Sequence, residues 1–172
     1  MVALQDKAPD FDLPGSDGKR HSLKEFAGKY LVIYFYPKDD TPGCTVEAIS
    51  FTKAVEDLRT MGCEVVGISS DDEKSHQRFC EKRGLKHLLL SDESHETIKA
   101  YGAYGSRGIF GMGTQRKTYI VDGAGTVIKI FEKVNPKGHE KEILDFIEST
   151  QKKKVIICPR KKAWRIGSLI MV

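Results

Sequence analysis

The sequence predicts one α/β domain on a mixed β-sheet, with parallel strands and crossover helices first and an antiparallel hairpin plus a helix last. Three observations carry that prediction. Leu31–Tyr36 (LVIYFY) and Cys63–Ser69 (CEVVGIS) are apolar on both faces, the pattern of strands covered on two sides. Between them, Val46, Ile49, Val55 and Leu58 recur at helical spacing. Later, Lys117–Asp122 and Thr126–Phe131 flank DGAG, a hairpin pattern. At 172 residues, 40% hydrophobic and 30% charged, the chain has the length and composition for one sizeable core.

The elements follow in order. Residues 8–23 place Phe11 and Leu13 among Pro9, Pro14, Gly15 and Gly18, and read as short strands turning at SDGK. The Leu31–Tyr36 strand leads to a helix over Thr45–Thr60 that Gly62 closes. After Cys63–Ser69, Asp71 or Asp72 caps a helix running to Arg83, with Gly84 just past its end. His87–Leu90 is a third strand, and SDESHETIKAYG opens on an N-cap pattern for a short helix. The hairpin follows, then an amphipathic helix over Gly138–Thr150. This βαβα(β)αββα order is that of a thioredoxin-like fold with an N-terminal strand extension. The Gly-rich GSRGIFGMG segment lacks the GK[ST] ending of a phosphate loop and is expected to be a mobile loop near the site.

Charge divides the chain at residue 150. Residues 151–172 carry seven basic groups and no acidic one, which leaves residues 1–150 with 21 basic against 24 acidic groups, net −3. The whole-chain net of +4 therefore belongs to the tail and is no argument for nucleic-acid binding by the domain. The tail's lysines, Trp164 and apolar end have the chemistry to touch a membrane or nucleic acid, but it shows no clear period. It is read as a flexible appendage, with neither partner expected. Leu31–Tyr36 is far too short to span a bilayer, and MVALQDKAPDF has no apolar signal segment, so the expected location is cytoplasmic.

There are four cysteines, Cys44, Cys63, Cys80 and Cys158, and no CxxC, which weighs against a zinc ribbon and against the usual dithiol motif. Cys63 opens a buried strand and reads as a small core hydrophobe, while Cys158 in the tail is expected to be inert. His76 and Cys80 stand at i and i+4, but two ligands do not make a zinc site.

YPKDDTPGCT, Tyr36–Thr45, carries the chemistry. Cys44 falls at the start of the helix that follows the central strand, where unpaired N–H groups and the dipole end favour a thiolate, the reactive form. Pro42 sits near the first helical position, where its missing N–H costs nothing, and Gly43 completes the turn. Thr41 puts a hydroxyl three residues before the sulfur, and Pro37 ends the strand and can shield the pocket from water.

Pro37, Thr41 and Cys44 together match the PxxxTxxC motif of peroxiredoxins, and YFYPKDDTPGCTVEA resembles the bacterioferritin-comigratory-protein, or peroxiredoxin Q, subfamily. APDFDLPGSDG, VVGISSDD, LLLSDE and TYIVDGAG extend the similarity over roughly residues 3–150. The resemblance implies reduction of hydrogen peroxide and small organic hydroperoxides by the Cys44 thiolate, with no metal or other cofactor. It implies transition-state help from Thr41, from the Gly43 and Cys44 amides, and from Arg116 in GTQRKTYIVD. Glu47, one helical turn after Cys44, stands where the subfamily commonly has Glu or Gln bonded to that arginine. Many relatives place a resolving cysteine five positions after the first, but here that residue is Ile49. Cys80, 36 positions on, matches the other pattern, with the resolving thiol on the next helix. A Cys44–Cys80 disulfide, local unfolding to form it, and re-reduction by thioredoxin or a similar dithiol protein follow as expectations. Resolution within one chain is compatible with a monomer. If Cys80 is only core, the enzyme is one-cysteine in behaviour. The rival from another class is a redox-sensing or chaperone-like interaction protein. A disulfide oxidoreductase is disfavoured by the missing CxxC.

Overall fold

The computed structural model describes residues 2–157. In chain order the elements are β1 Asp12–Pro14, β2 Arg20–Ser22, β3 Tyr30–Phe35, α1 Pro42–Thr60, β4 Cys63–Ser69, α2 Glu73–Arg83, β5 Leu88–Ser91, α3 Glu96–Ala100, β6 Tyr104–Ser106, β7 Met112–Thr114, β8 Lys117–Val121, β9 Val127–Phe131 and α4 His139–Ile157. Five strands form the central sheet in the order β5-β4-β3-β8-β9. β3 pairs parallel with β4 and antiparallel with β8. β1–β2 and β6–β7 are separate antiparallel hairpins. This is the α/β, thioredoxin-like arrangement expected, with the N-terminal extension present as β1–β2.

The alternation of β3 explains why it is apolar throughout. Val32 and Tyr34 face a core shared with Phe51 and Leu58 of α1, Phe79 of α2, and Ile143 and Ile147 of α4. Leu31, Ile33 and Phe35 face a second core with Val2, Phe11, Ile98 and Tyr101. Successive side chains of a strand point to opposite faces, so both layers draw on one six-residue run. Each such burial contributes about 1.5–3 kcal/mol relative to exposure. Gly67 of β4 is required by packing: a Cβ there would stand 2.6 Å from the Tyr34 ring and 2.8 Å from Leu89.

The helix ends follow local chemistry. Asp72 caps α2 by accepting from the Ser75 N–H at 2.7 Å, and Gly84 closes it in the left-handed conformation at φ 60°. α1 begins at Pro42, three residues earlier than expected, because proline is accommodated at the first helical position and the Thr45 N–H already reaches the Thr41 carbonyl at 2.8 Å. β3 and β5 are each displaced by one residue from the expected spans.

Three segments differ more. The Asp92 carboxylate accepts from the Ile98 N–H and the Ser94 hydroxyl, so α3 starts only at Glu96, after His95 in a left-handed conformation. The GSRGIFGMG segment, expected to be a loop, is a β-hairpin in which Gly105 pairs with Gly113. Its tip presents Ile109 and Phe110 to solvent. The last helix continues to Ile157, seven residues past the boundary expected at 150. Gln151 donates to the Met61 carbonyl and Lys152 pairs with Glu148 at 3.5 Å, which favours that continuation. Cys158 and the remainder of the basic tail, with the expectations made for them, lie outside the described residues.

Candidate active site

Strand register brings the site together. The β3–β8 ladder ends at the pair Phe35–Lys117. The chain therefore leaves β3 for the Tyr36–Thr41 turn at the edge where Arg116 enters β8. α1 starts from that turn, and its first two turns carry Cys44 and Glu47 on one buried face. Arg116 bridges both: its Nη2 donates to Cys44 Sγ at 3.2 Å and its Nη1 to Glu47 Oε2. Cys44 is 2% exposed and the Glu47 side chain 1%, while the Arg116 side chain keeps 16%. One guanidinium fork thus reaches a thiol and a carboxylate.

The rest of the turn makes room for that fork. A Cβ on Gly43 would lie 3.3 Å from Arg116 Nη2 and 3.7 Å from Pro136 Cγ. The Thr41 hydroxyl donates to the Lys38 carbonyl at 3.0 Å, which leaves its oxygen lone pairs as acceptors. Thr41 is also the residue just before α1, without a side-chain cap bond. Pro37 is half-buried two residues beyond β3.

Burial dominates the electrostatics of the pair. It pushes Glu47 up to about 7 against the pull of the Arg116 charge and hydrogen bond. Glu47 Oε1 has no hydrogen-bond partner among the described residues, in keeping with that cost. Burial also opposes the Arg116 charge, but Glu47 and Cys44 more than offset it, so its pKa lies above the usual guanidinium value. A carboxyl whose pKa is raised binds its proton more tightly folded than unfolded. Its contribution is most favourable below the unfolded value and is lost as pH climbs to about 7. Glu47→Gln removes that penalty and keeps a group able to accept from Arg116. We expect the variant to gain roughly 1–3 kcal/mol over wild type at pH 8, and little or nothing at pH 4, by denaturant titration at both values.

The remaining cysteines separate by environment. Cys63 is fully buried in β4, and burial pushes its thiol up to about 12. Cys80 lies on α2, half-buried against the same core that holds Cys44. Burial pushes its thiol up, with the Ser16 hydroxyl partly offsetting. Cys44 and Cys80 are free thiols, not a disulfide. Cys44, Glu47, Gly43 and Arg116 are thus gathered at one point, with Thr41 and Pro37 in the turn and Cys80 on the neighbouring helix. His76 is committed elsewhere: its Nδ1 meets Asp39 Oδ2 at 2.8 Å. Pro136 beside the turn, and Asp39 with its contacts to α2, were not anticipated. They depend on pairings across long stretches of chain that no local pattern reveals.

With that geometry in hand, three comparisons converge. The AhpC/TSA family model matches residues 4–130. Peroxiredoxin Bcp of Bacillus subtilis (strain 168) is 37% identical over 155 residues, covering 88% of this chain and 99% of that protein. The crystal structure of a cysteine-to-serine mutant of Xylella fastidiosa PrxQ superposes with a TM-score of 0.85 at 26% identity, covering 88% of this chain and 98% of that one. A structure of the Xanthomonas campestris bacterioferritin comigratory protein, described for its alkyl peroxide reduction activity, matches with a TM-score of 0.78 at 32% identity over 81% of this chain and 91% of that one. The chain belongs to the AhpC/TSA family, grouping there with the Bcp and Q peroxiredoxins, and is a thiol-dependent peroxidase.

Proposed function

We propose that Cys44 is the peroxidatic residue and Cys80 the resolving one, acting on hydrogen peroxide and small organic hydroperoxides. The observation that carries this reading is the Arg116 guanidinium, 3.2 Å from Cys44 Sγ at the N-terminus of α1. A cation and helix N-terminal N–H groups there stabilise the charge that builds on a splitting peroxide. The thiolate attacks the terminal peroxide oxygen. An S–O bond forms and the O–O bond breaks, leaving sulfenic acid, and the departing oxide takes a proton to become water or an alcohol. Gly43 and Cys44 amides and Arg116 support that oxide, while the Thr41 oxygen accepts from the peroxide hydroxyl.

Cys80 then condenses with the sulfenic acid: an S–S bond forms, the S–O bond breaks, and water leaves with the Cys80 proton. Thioredoxin or a similar dithiol protein restores both thiols by exchange. The enzyme works as a cytoplasmic monomer, and its substrate site accommodates an O–O pair rather than a large body.

Peptide mass spectrometry after one equivalent of hydrogen peroxide tests this assignment. Wild type should yield a Cys44–Cys80 disulfide, and Cys80→Ser should yield sulfenic acid on Cys44. If Cys44 stays reduced while peroxide persists, the peroxidatic assignment fails. Cys44 oxidised but never joined to Cys80 would remove the resolving role alone.

A further inference from the structure

We propose that Asp39 and Asp40 are positioning residues for disulfide formation, forming a latch that ties the Cys44 turn to the Cys80 helix and sets how readily the two thiols meet. The inference rests on Cys80 as the resolving residue. Its basis is a pair of adjacent acids whose partners flank Cys80 on both sides. Asp39 is 8% exposed and accepts from the Tyr36 hydroxyl at 2.7 Å, the Ser75 hydroxyl at 2.7 Å and His76 Nδ1 at 2.8 Å. Its own N–H donates to Asp71 Oδ2 at 2.9 Å. Burial alone would raise the Asp39 pKa; the His76 contact, then the hydroxyls, more than offset this and hold it below the usual carboxylate value. Asp40 accepts from Arg83 through Nε at 3.0 Å and Nη2 at 2.5 Å, and from Lys82. Asp40 also holds φ at 54°, a left-handed conformation uncommon outside glycine.

Residues 75 and 76 precede Cys80 on α2, and residues 82 and 83 follow it. The turn therefore grips α2 on either side of the thiol. Cys44 and Cys80 sit unbonded on separate helices, and a disulfide needs their Cα atoms within about 7 Å. Moving either element out of place breaks the latch, so the latch stabilises the closed state against local opening. While it is closed, a Cys44 sulfenic acid remains open to a second peroxide, which transfers another oxygen to sulfur to give sulfinic acid and water. Latch strength would then divide each oxidised molecule between disulfide and over-oxidation.

The test uses Asp40→Asn and, separately, Lys82→Ala/Arg83→Ala in the full chain, since these exposed changes leave the buried Asp39 cluster intact. Reduced protein is mixed rapidly with hydrogen peroxide, quenched by alkylation and analysed by mass. We expect peroxide consumption in the first turnover to stay within about twofold of wild type. Disulfide formation should rise about three- to fivefold, the scale of one or two exposed charge pairs. Sulfinic acid under excess peroxide should fall correspondingly, and the triple variant should be no faster than either parent. Disulfide formation unchanged or slowed in Asp40→Asn overturns the latch. Absence of a Cys44–Cys80 disulfide in wild type overturns the resolving assignment beneath it.

Discussion

We expect Cys44→Ser to abolish peroxide turnover. With a dithiol reductant in excess, consumption should fall by roughly 10⁴-fold or more, the scale seen when a nucleophile is removed. The reason is chemical rather than structural. A serine oxygen does not accept oxygen from a peroxide, and its hydroxyl is a far weaker nucleophile than sulfur. The surroundings need not change, because Arg116 can still donate to an oxygen in that place and keeps its Glu47 partner. Cys63→Ser is the matched control. It puts a hydroxyl at a fully buried strand position and should cost about 1–3 kcal/mol of stability while leaving turnover intact. A coupled assay with thermal denaturation of both variants separates the two effects. Residual turnover near wild type in Cys44→Ser would sink the assignment of Cys44.

Much of the fold was legible because the informative signals are local. Leu31–Tyr36 and Cys63–Ser69 are short and rich in apolar and β-branched residues, and the sheet holds the second in full and the first as far as Phe35. Asp72 and Gly84 mark the ends of α2 through single-residue chemistry. The hairpin at 104–114 was hidden for the opposite reason. Its strands contain Gly105 and Gly113, residues depleted in strands, and the pairing holds through backbone ladders that carry no side-chain pattern. The far end of α4 was missed because the charge shift at residue 151 resembles a boundary. Lysine is a good helix former, and 151–157 contains neither Gly nor Pro.

The site divides in the same way. Cys44 was legible through its turn, since Pro42, Gly43 and a following apolar-periodic helix imply a thiol at a helix N-terminus whatever the family. Arg116 carries no such local mark; only the resemblance points to it, and its place before β8 sets it near the strand ends. The register Phe35–Lys117 is what converts that place into contact with Cys44. Asp39 and His76, 37 positions apart, became partners only once α2 was packed beside the turn. A single His among the charged residues of α2 gives no hint of that.

Arg116→Leu should separate the rate from the stability of this cluster. The guanidinium is the cation facing Cys44 Sγ, so its loss should slow reaction with peroxide by about 10²–10³-fold, as for removal of one well-aimed charged donor. Stability responds through Glu47. Burial already pushes that carboxyl up to about 7, and the Arg116 charge and hydrogen bond are the two influences that lower it. Without them its pKa moves higher still, so the variant buries a neutral acid at pH 7 and is spared part of the cost of an unpaired charge. The sign follows from proton uptake. The folded variant holds its proton to higher pH than wild type does, so its extra instability is small at pH 5 and grows as pH rises above 7. Adding Glu47→Gln should recover the alkaline stability and leave the rate depressed, because the amide removes the buried charge without restoring a cation beside sulfur. Stopped-flow oxidation and denaturation at pH 5, 7 and 9 measure both. A rate unchanged by Arg116→Leu would show that the guanidinium takes no part in the chemistry. An instability equal at pH 5 and pH 9 would show that Glu47 is not the group through which the protein feels its loss.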